Sequence, residues 1–449
     1  MSAVDTDPRQ VPDAPMGDGD LAPGPSDGGV VGGKSATRSL VELGAVVAAV
    51  VLLAVVTGQV DLLIVITCLV VMIMVHEAGH FMAAKHGHMK VTEYFFGFGP
   101  RLWSFRRGET EYGIKAIPLG GYVKIPGMTT LEEVDPADEA RTYREQPFHA
   151  RLLVAVAGSA MHFLMAFVLL WVLVTLVGLP NGDHVGVQQV VSVDGRPGPA
   201  QVAGLRAGDV VISADDRSVQ GNPDALVSVI HDHPGVPITI VVRRSGAERT
   251  LTVTPVDGRT VRQSDVIHPP GTDPYGLIGV SLGAPVERVG PLAGLVRTGT
   301  DMARFSWASV VGVAHLFSPS ATVHRFGEVT SAQAASQAGA DGTRVQSIVG
   351  AVQTATDAAH AGIGELLIIL ISINLFIGIF NLFPMLPLDG GHVAIAIYEK
   401  IRTGRSNVRY HANVTKLLPF TWALVIFLGV LFATTLLTDL LHPMANPFG

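Results

Sequence analysis

Five stretches of this 449-residue chain run nearly free of charge for about as long as a lipid bilayer is thick. A helix needs about 20 apolar residues to cross. A backbone in lipid must satisfy its own hydrogen bonds, so only helices or closed barrels can span. The stretches read as an extra N-terminal transmembrane helix at 39–60, helices at 61–84 and 152–180, a fourth at 361–392 and a fifth at 417–438. Their uncharged cores are Leu43–Val60, Leu62–Ala84, Leu152–Pro180, Leu366–Leu388 and Leu417–Thr438. The first is the shortest, and it also reads as a peripheral helix or as one arm of a kinked hairpin with the second. The expected fold class is a polytopic α-helical membrane protein of about five spans.

Composition agrees. Charged residues make up 15% of the chain, well under the roughly 25% of soluble domains. Mean hydropathy is +0.41. A net charge of −7 excludes the basic excess that phosphate contacts demand, so no nucleic-acid partner is expected. A single cysteine, Cys68, excludes an intrachain disulfide framework and a cysteine-based zinc finger. The acidic, proline- and glycine-rich segment 1–38 reads as a disordered cytoplasmic tail.

Short-loop lysines and arginines set the orientation. Lys34 and Arg38 precede the first stretch, ten basic residues from Lys85 to Arg151 follow the second, and Lys400, Arg402, Arg405, Arg409 and Lys416 precede the fifth. The N-terminus is thus expected in the cytoplasm and the C-terminus outside. The loop at 85–151 reads as cytoplasmic, with a membrane-associated β-hairpin in its aromatic, glycine-punctuated part, 91–124. Residues 185–256 read as a β-rich domain with one helix, and 257–360 as an extracytoplasmic linker with surface helices.

The chemistry concentrates in two places. His76-Glu77-Ala78-Gly79-His80 is an H-E-x-x-H. On a helix its histidines share one face a turn apart and can bind one zinc ion, with the glutamate beside them as a base for water. Within an apolar span these ionisable groups are costly without a partner, which marks them as functional. A catalytic zinc needs a third protein ligand. Asp389 is the candidate, at the end of Asn381-Leu-Phe-Pro384-Met-Leu-Pro387-Leu-Asp389-Gly390-Gly391-His392, where two prolines break an uncharged run; His392 competes with it.

An H-E-x-x-H in one membrane helix with N-x-x-P-x-x-P-x-D-G in a later one resembles the site-2 protease family of intramembrane zinc metalloproteases. The bacterial branch with an inserted PDZ domain is the nearer likeness. Gly97-Phe-Gly-Pro100, Ile117-Pro-Leu-Gly-Gly-Tyr-Val-Lys124, the PDZ-like turn Ala203-Gly-Leu-Arg-Ala-Gly-Asp209 and Gly276-Leu-Ile-Gly-Val280 add to it. The resemblance covers about residues 62–440. It implies that His76, His80 and Asp389 bind Zn2+, that Glu77 is the catalytic base, and that Asn381 holds the substrate or its oxyanion. It also implies that the hairpin, with Gly120 and Gly121, presents an edge to an extended substrate. Implied partners are the lipid bilayer and single-span membrane proteins, either anti-sigma-factor-like or remnants of signal peptides. The PDZ-like domain would bind a peptide C-terminus or act as a size filter.

Two features depart from the family pattern. His162 stands where the third span's glycine-led patch commonly ends in asparagine; it would support the site, coordinate metal, or simply be hydrogen-bonded within the bundle. The other departure is the extra apolar stretch behind its acidic tail. An inactive scaffold whose PDZ-like domain recruits partners is one competing reading, against which His76, Glu77, His80 and Asp389 together argue. A zinc transporter or metal-binding scaffold is the other. It needs no glutamate beside the first histidine and no PDZ-like domain.

Overall fold

The computed structural model describes residues 36–128, 132–261, 273–340, 343–406 and 410–448, so nearly all of the acidic tail expected at 1–38 lies outside the described residues. Two apolar helices open the chain, α1 (Ala36–Val56) and α2 (Val60–His86), joined at Gly58, whose φ of +69° suits glycine. Val46, Val50, Leu53 and Val56 on α1 are exposed, as lipid-facing side chains would be. The apolar part of α1, Val41–Val56, is shorter than the other apolar helices. It rises about 24 Å, against a hydrocarbon core of roughly 30 Å.

Two long strands follow, β1 (Glu93–Arg107) and β2 (Thr110–Lys124). They are more than a simple hairpin, because each bends and pairs twice. Phe105 and Arg106 pair with Tyr112 and Glu111, while Tyr94 and Phe95 pair with Tyr112 and Gly113 on one side and with Val123 and Tyr122 on the other. The glycines at 97 and 99, both at positive φ, allow the bend. The result is a curled sheet with the Gly121–Lys124 segment at one margin. The Tyr94 hydroxyl donates to the Met74 carbonyl at 2.8 Å and ties this sheet to α2. The chain then enters α3 (Phe148–Val172), which a π turn extends to Val177.

A separate antiparallel sheet follows a short strand β3 (Leu179–Pro180). Its order is β11-β4-β5-β7-β8, from β4 (Val185–Val190), β5 (Val210–Ala214), a short β6 (Arg217–Ser218) paired to β5, β7 (Ile238–Arg244), β8 (Ala247–Val253) and β11 (Val280–Gly283). Two short helices, α4 (Pro199–Val202) and α5 (Pro223–His231), cover it; the Asn222 side chain caps α5 by accepting from the Ala225 amide. Alternate residues of β7, Ile238, Ile240 and Val242, are buried, the period-2 pattern of a strand with one core face. The sheet does not end at 256. β9 (Val256–Asp257) pairs with β10 (Gly276–Leu277), and β11 then returns to lie against β4, so the unit runs to Gly283 before β12 (Val286–Glu287) pairs with β3. Leu205, inside the PDZ-like turn, is 4% exposed and belongs to the core. Asp209 below it accepts two 2.6 Å bonds from Arg244. Burial raises the Asp209 pKa, but those bonds and the Arg206 amide outweigh it and hold the carboxyl below its usual range.

Four helices then precede the next apolar one: α6 (Pro291–Leu316), α7 (Pro319–Thr330), α8 (Ala332–Ala340) and α9 (Ile348–Ala361). They are not all surface helices. Met302 and Phe305 of α6 pack against Leu170, Ile371 and Leu375, while Ala355 of α9 is fully buried with Val65, Met72 and Leu370. α10 (Ile363–Asn381) stops where Pro384 and Pro387 deny the helix its amide donors, and α11 (Asp389–Ser406) starts afresh. The expected span 361–392 is therefore two helices with a break. The last helix is α12 (Leu418–Leu441). Among the described residues, the segments Val60–His86, Phe148–Val177, Ile363–Asn381 and Val414–Leu441 are long and apolar enough to cross a membrane. The chain is a polytopic membrane protein with a β domain.

Candidate active site

α2 crosses α3 at small residues. A Cβ on Gly79 would stand 2.6 Å from the Ala157 carbonyl oxygen, and one on Gly158 only 2.3 Å from His80 Nε2 and 2.4 Å from His76 Cε1. Close helix approach of this kind needs glycine. It brings the H-E-x-x-H face directly against α3, with His76 and His80 8% and 7% exposed. The break after α10 delivers the third group. Cβ atoms on Gly390 and Gly391 would fall 2.2 Å from the Leu382 oxygen and 2.5 Å from the Leu386 nitrogen, so the paired glycines let the chain fold back tightly. Asp389 thereby begins α11 facing α2, and a carboxylate is favourable at a helix N-terminus.

The three side chains meet. His76 Nε2 and His80 Nε2 are 3.2 Å apart, and Asp389 Oδ2 lies 3.5 Å from the first and 3.3 Å from the second. Donors about 2.0–2.1 Å from a tetrahedral zinc stand about 3.4 Å from one another, so this triangle has the size of one face of such a site. Asp389 Oδ2 is buried and accepts no hydrogen bond among the described residues, a costly state that a cation between the three groups would relieve. His80 Nδ1 sits 2.8 Å from the Val154 carbonyl, which can only accept. The proton is therefore on Nδ1 and the Nε2 lone pair points into the triangle, the arrangement common for metal-binding histidines.

Glu77 lies beside the triangle, with Oε1 4.0 Å from His76 Nε2. Gly121, on the margin of the curled sheet, backs onto it, since a Cβ there would meet Glu77 Cγ at 3.2 Å. Gly120, at φ +146°, faces Phe98 instead. Asn381 is the half-buried last residue of α10, and its side chain makes no hydrogen bond among the described residues. His392 turns away, its ring 6.1 Å from that of Tyr143, and is not in the metal-type cluster. His162 is 2% exposed with its ring 4.9 Å from that of His76.

Sequence reasoning missed the residues that hold α11 in place. Arg151 at the start of α3 pairs with Glu399 on α11, both nearly buried, and Glu399 also accepts the Ala412 amide at 2.6 Å. A lone arginine at a span's edge reads as one more positive charge, so no local signal discloses the pair. A cavity of about 520 Å³ lined by Pro384, Leu386, Gly391, Tyr398, Lys416 and Phe420 shares this turn but includes none of the three ligand-type side chains.

Comparison with known proteins gives the family. The family model described as Peptidase family M50 matches residues 64–425. The chain is similar to the zinc metalloprotease Rip1 of Mycobacterium tuberculosis, 35% identical over 400 residues that span 84% of this chain and 96% of the relative. Rip1 of Mycolicibacterium smegmatis is 31% identical over 407 residues, with the same coverage. The chloroplastic membrane metalloprotease ARASP of Arabidopsis thaliana is 27% identical over 351 residues, 76% of this chain and 71% of that protein. With a family match over residues 64–425 and relatives of this identity, the chain belongs to peptidase family M50, the site-2 proteases.

Proposed function

We propose that this protein is an intramembrane zinc metalloprotease that hydrolyses peptide bonds within or near the membrane-spanning segments of single-span proteins. The observation that carries the reading is the triangle of His76, His80 and Asp389 with Glu77 beside it, assembled on helices apolar enough to lie in a bilayer. Relatives named zinc metalloproteases support the metal and the reaction class. Zinc held by the two imidazoles and the carboxylate supplies Lewis acidity, which lowers the pKa of water toward about 7 and polarises a carbonyl.

The chain's own residues do the rest. Glu77 takes a proton from the attacking water and delivers it to the leaving amine. A substrate helix must first be opened, because its peptide groups are locked in internal hydrogen bonds. The sheet margin at Gly121–Lys124 lies against α2 beside Glu77, and an unwound substrate strand added there would pass the base with its backbone exposed. Asn381 is placed at the broken end of α10, where its amide can donate to the developing oxyanion.

The lysine and arginine distribution favours five spans, with α1 as a short first one, the N-terminus in the cytoplasm, and both the β domain and the C-terminus outside. The β domain, read as PDZ-like, acts as a size filter over the external mouth. Substrates are single-span proteins already clipped outside, of the anti-sigma-factor kind, or leftover signal peptides. Comparative membrane proteomics of a Glu77→Gln strain tests this: membrane-embedded fragments accumulate against wild type, and an unchanged membrane proteome would overturn the reading.

A further inference from the structure

The two imidazoles of the proposed metal site are held differently. His80 has the Val154 carbonyl behind it at 2.8 Å, whereas His76 Nδ1 is buried against the Gly158 backbone without a well-aligned hydrogen bond among the described residues. A ligand ring without such a partner is free to rotate about its own axis unless packing stops it. Besides His80 and the Gly158 backbone, His162 packs against it, with ring centroids 4.9 Å apart and planes at 42°. His162 is in turn fixed. Its Nδ1 lies 3.0 Å from Asn374 Oδ1, and Asn374 Nδ2 donates to the Leu370 carbonyl at 2.9 Å. With the amide nitrogen engaged as a donor, the amide oxygen is the acceptor, so His162 Nδ1 carries the hydrogen. Gly378 completes the seat, since a Cβ there would come within 3.0 Å of His162 Cβ.

We propose that His162, anchored by Asn374, is a positioning residue that fixes the His76 ring for metal binding and so ties α10 to α2 across α3. It is not a ligand: the cluster of mutually close ligand atoms comprises His76, His80 and Asp389. The inference rests on the metal reading above. It goes beyond it by assigning a task to two polar residues buried in separate spans.

The test uses purified full-length protein with Zn(II) as probe. His162→Ala should raise the zinc Kd by about 10- to 100-fold, the usual effect of removing an outer partner of a metal ligand. It should also shrink the zinc-induced rise in melting temperature, whatever the melting temperature of the metal-free form. His162→Gln, which retains an amide to meet Asn374 but has no ring, should lose zinc affinity similarly and covers the case in which the alanine variant fails to fold. Parental zinc affinity in His162→Gln would overturn the proposal. So would a lower melting temperature of the metal-free form with the zinc-induced rise intact, which marks packing alone. Loss of one nitrogen ligand from the Co(II)-substituted protein on going from parent to variant would also overturn it, by making His162 a ligand. If the parent protein itself binds no zinc, the metal reading falls with it; if the parent binds and the variants bind equally well, only the assignment of His162 falls.

Discussion

Asp389 Oδ2 stands 3.3 Å from His80 Nε2, although the chain reaches that aspartate only after two prolines have broken the helix before it. The break and the site are one feature. An unbroken α10 would carry Asp389 further along its own axis, and the carboxylate would not turn back toward α2.

The fit of α3 against the histidines sets the first expectation. Gly158→Ala places a methyl group 2.3 Å from His80 Nε2 in a close helix crossing, where backbone movement is costly. Zinc affinity should fall at least about tenfold, and zinc content by elemental analysis with it, with helical content unchanged by circular dichroism. Stoichiometric zinc in this variant would mean that the crossing is looser than described.

The third ligand is tested by a pair of variants. Asp389→Ala should lose bound zinc, and His392→Ala should keep it, because the His392 ring lies against Tyr143 and outside the cluster. The reverse pattern would exchange their roles.

The β domain offers a test of size filtering. Because β11 pairs with β4, a clean deletion runs from 185 to 283 and not to 256, which would strand β11 without its neighbour. Such a deletion should permit cleavage of unclipped substrates, measured by immunoblot, and leave clipped-substrate cleavage within about threefold, a cost of under 1 kcal/mol. Loss of clipped-substrate cleavage would instead assign the domain to recognition.

Topology follows from the charge asymmetry. Cysteines introduced at Ser26 and Asn446 in a Cys68→Ala background should react with a membrane-impermeant maleimide from opposite sides. Reaction from the same side would show that α1 does not cross, as its roughly 24 Å apolar rise would allow.

Much of this site was legible in the sequence because membrane burial makes polar residues informative. His76, Glu77 and His80 stand out within an apolar run, and Pro384, Pro387, Gly390 and Gly391 announce a break with a carboxylate inside it. The apolar helices α2, α3, α10 and α12 follow directly from uncharged length. Other features depend on distant partners and leave no local trace. The pairing of Arg151 with Glu399 is of this kind, as are the return of β11 to β4 and the double pairing of β1. α6 and α9 read as surface helices because Gly, Ala, Ser and Thr dominate their region. Small residues of that kind also permit close packing, and Ala355 is fully buried in the bundle.

The central claim is that Glu77 is a base beside a metal it does not bind. The direct measurement compares purified Glu77→Gln with the parent for both zinc content and cleavage of a single-span model substrate. The account predicts equal zinc per protein and a rate lower by about a hundred- to ten-thousand-fold, the usual range for a lost general base. Unimpaired cleavage by zinc-loaded Glu77→Gln protein would contradict it.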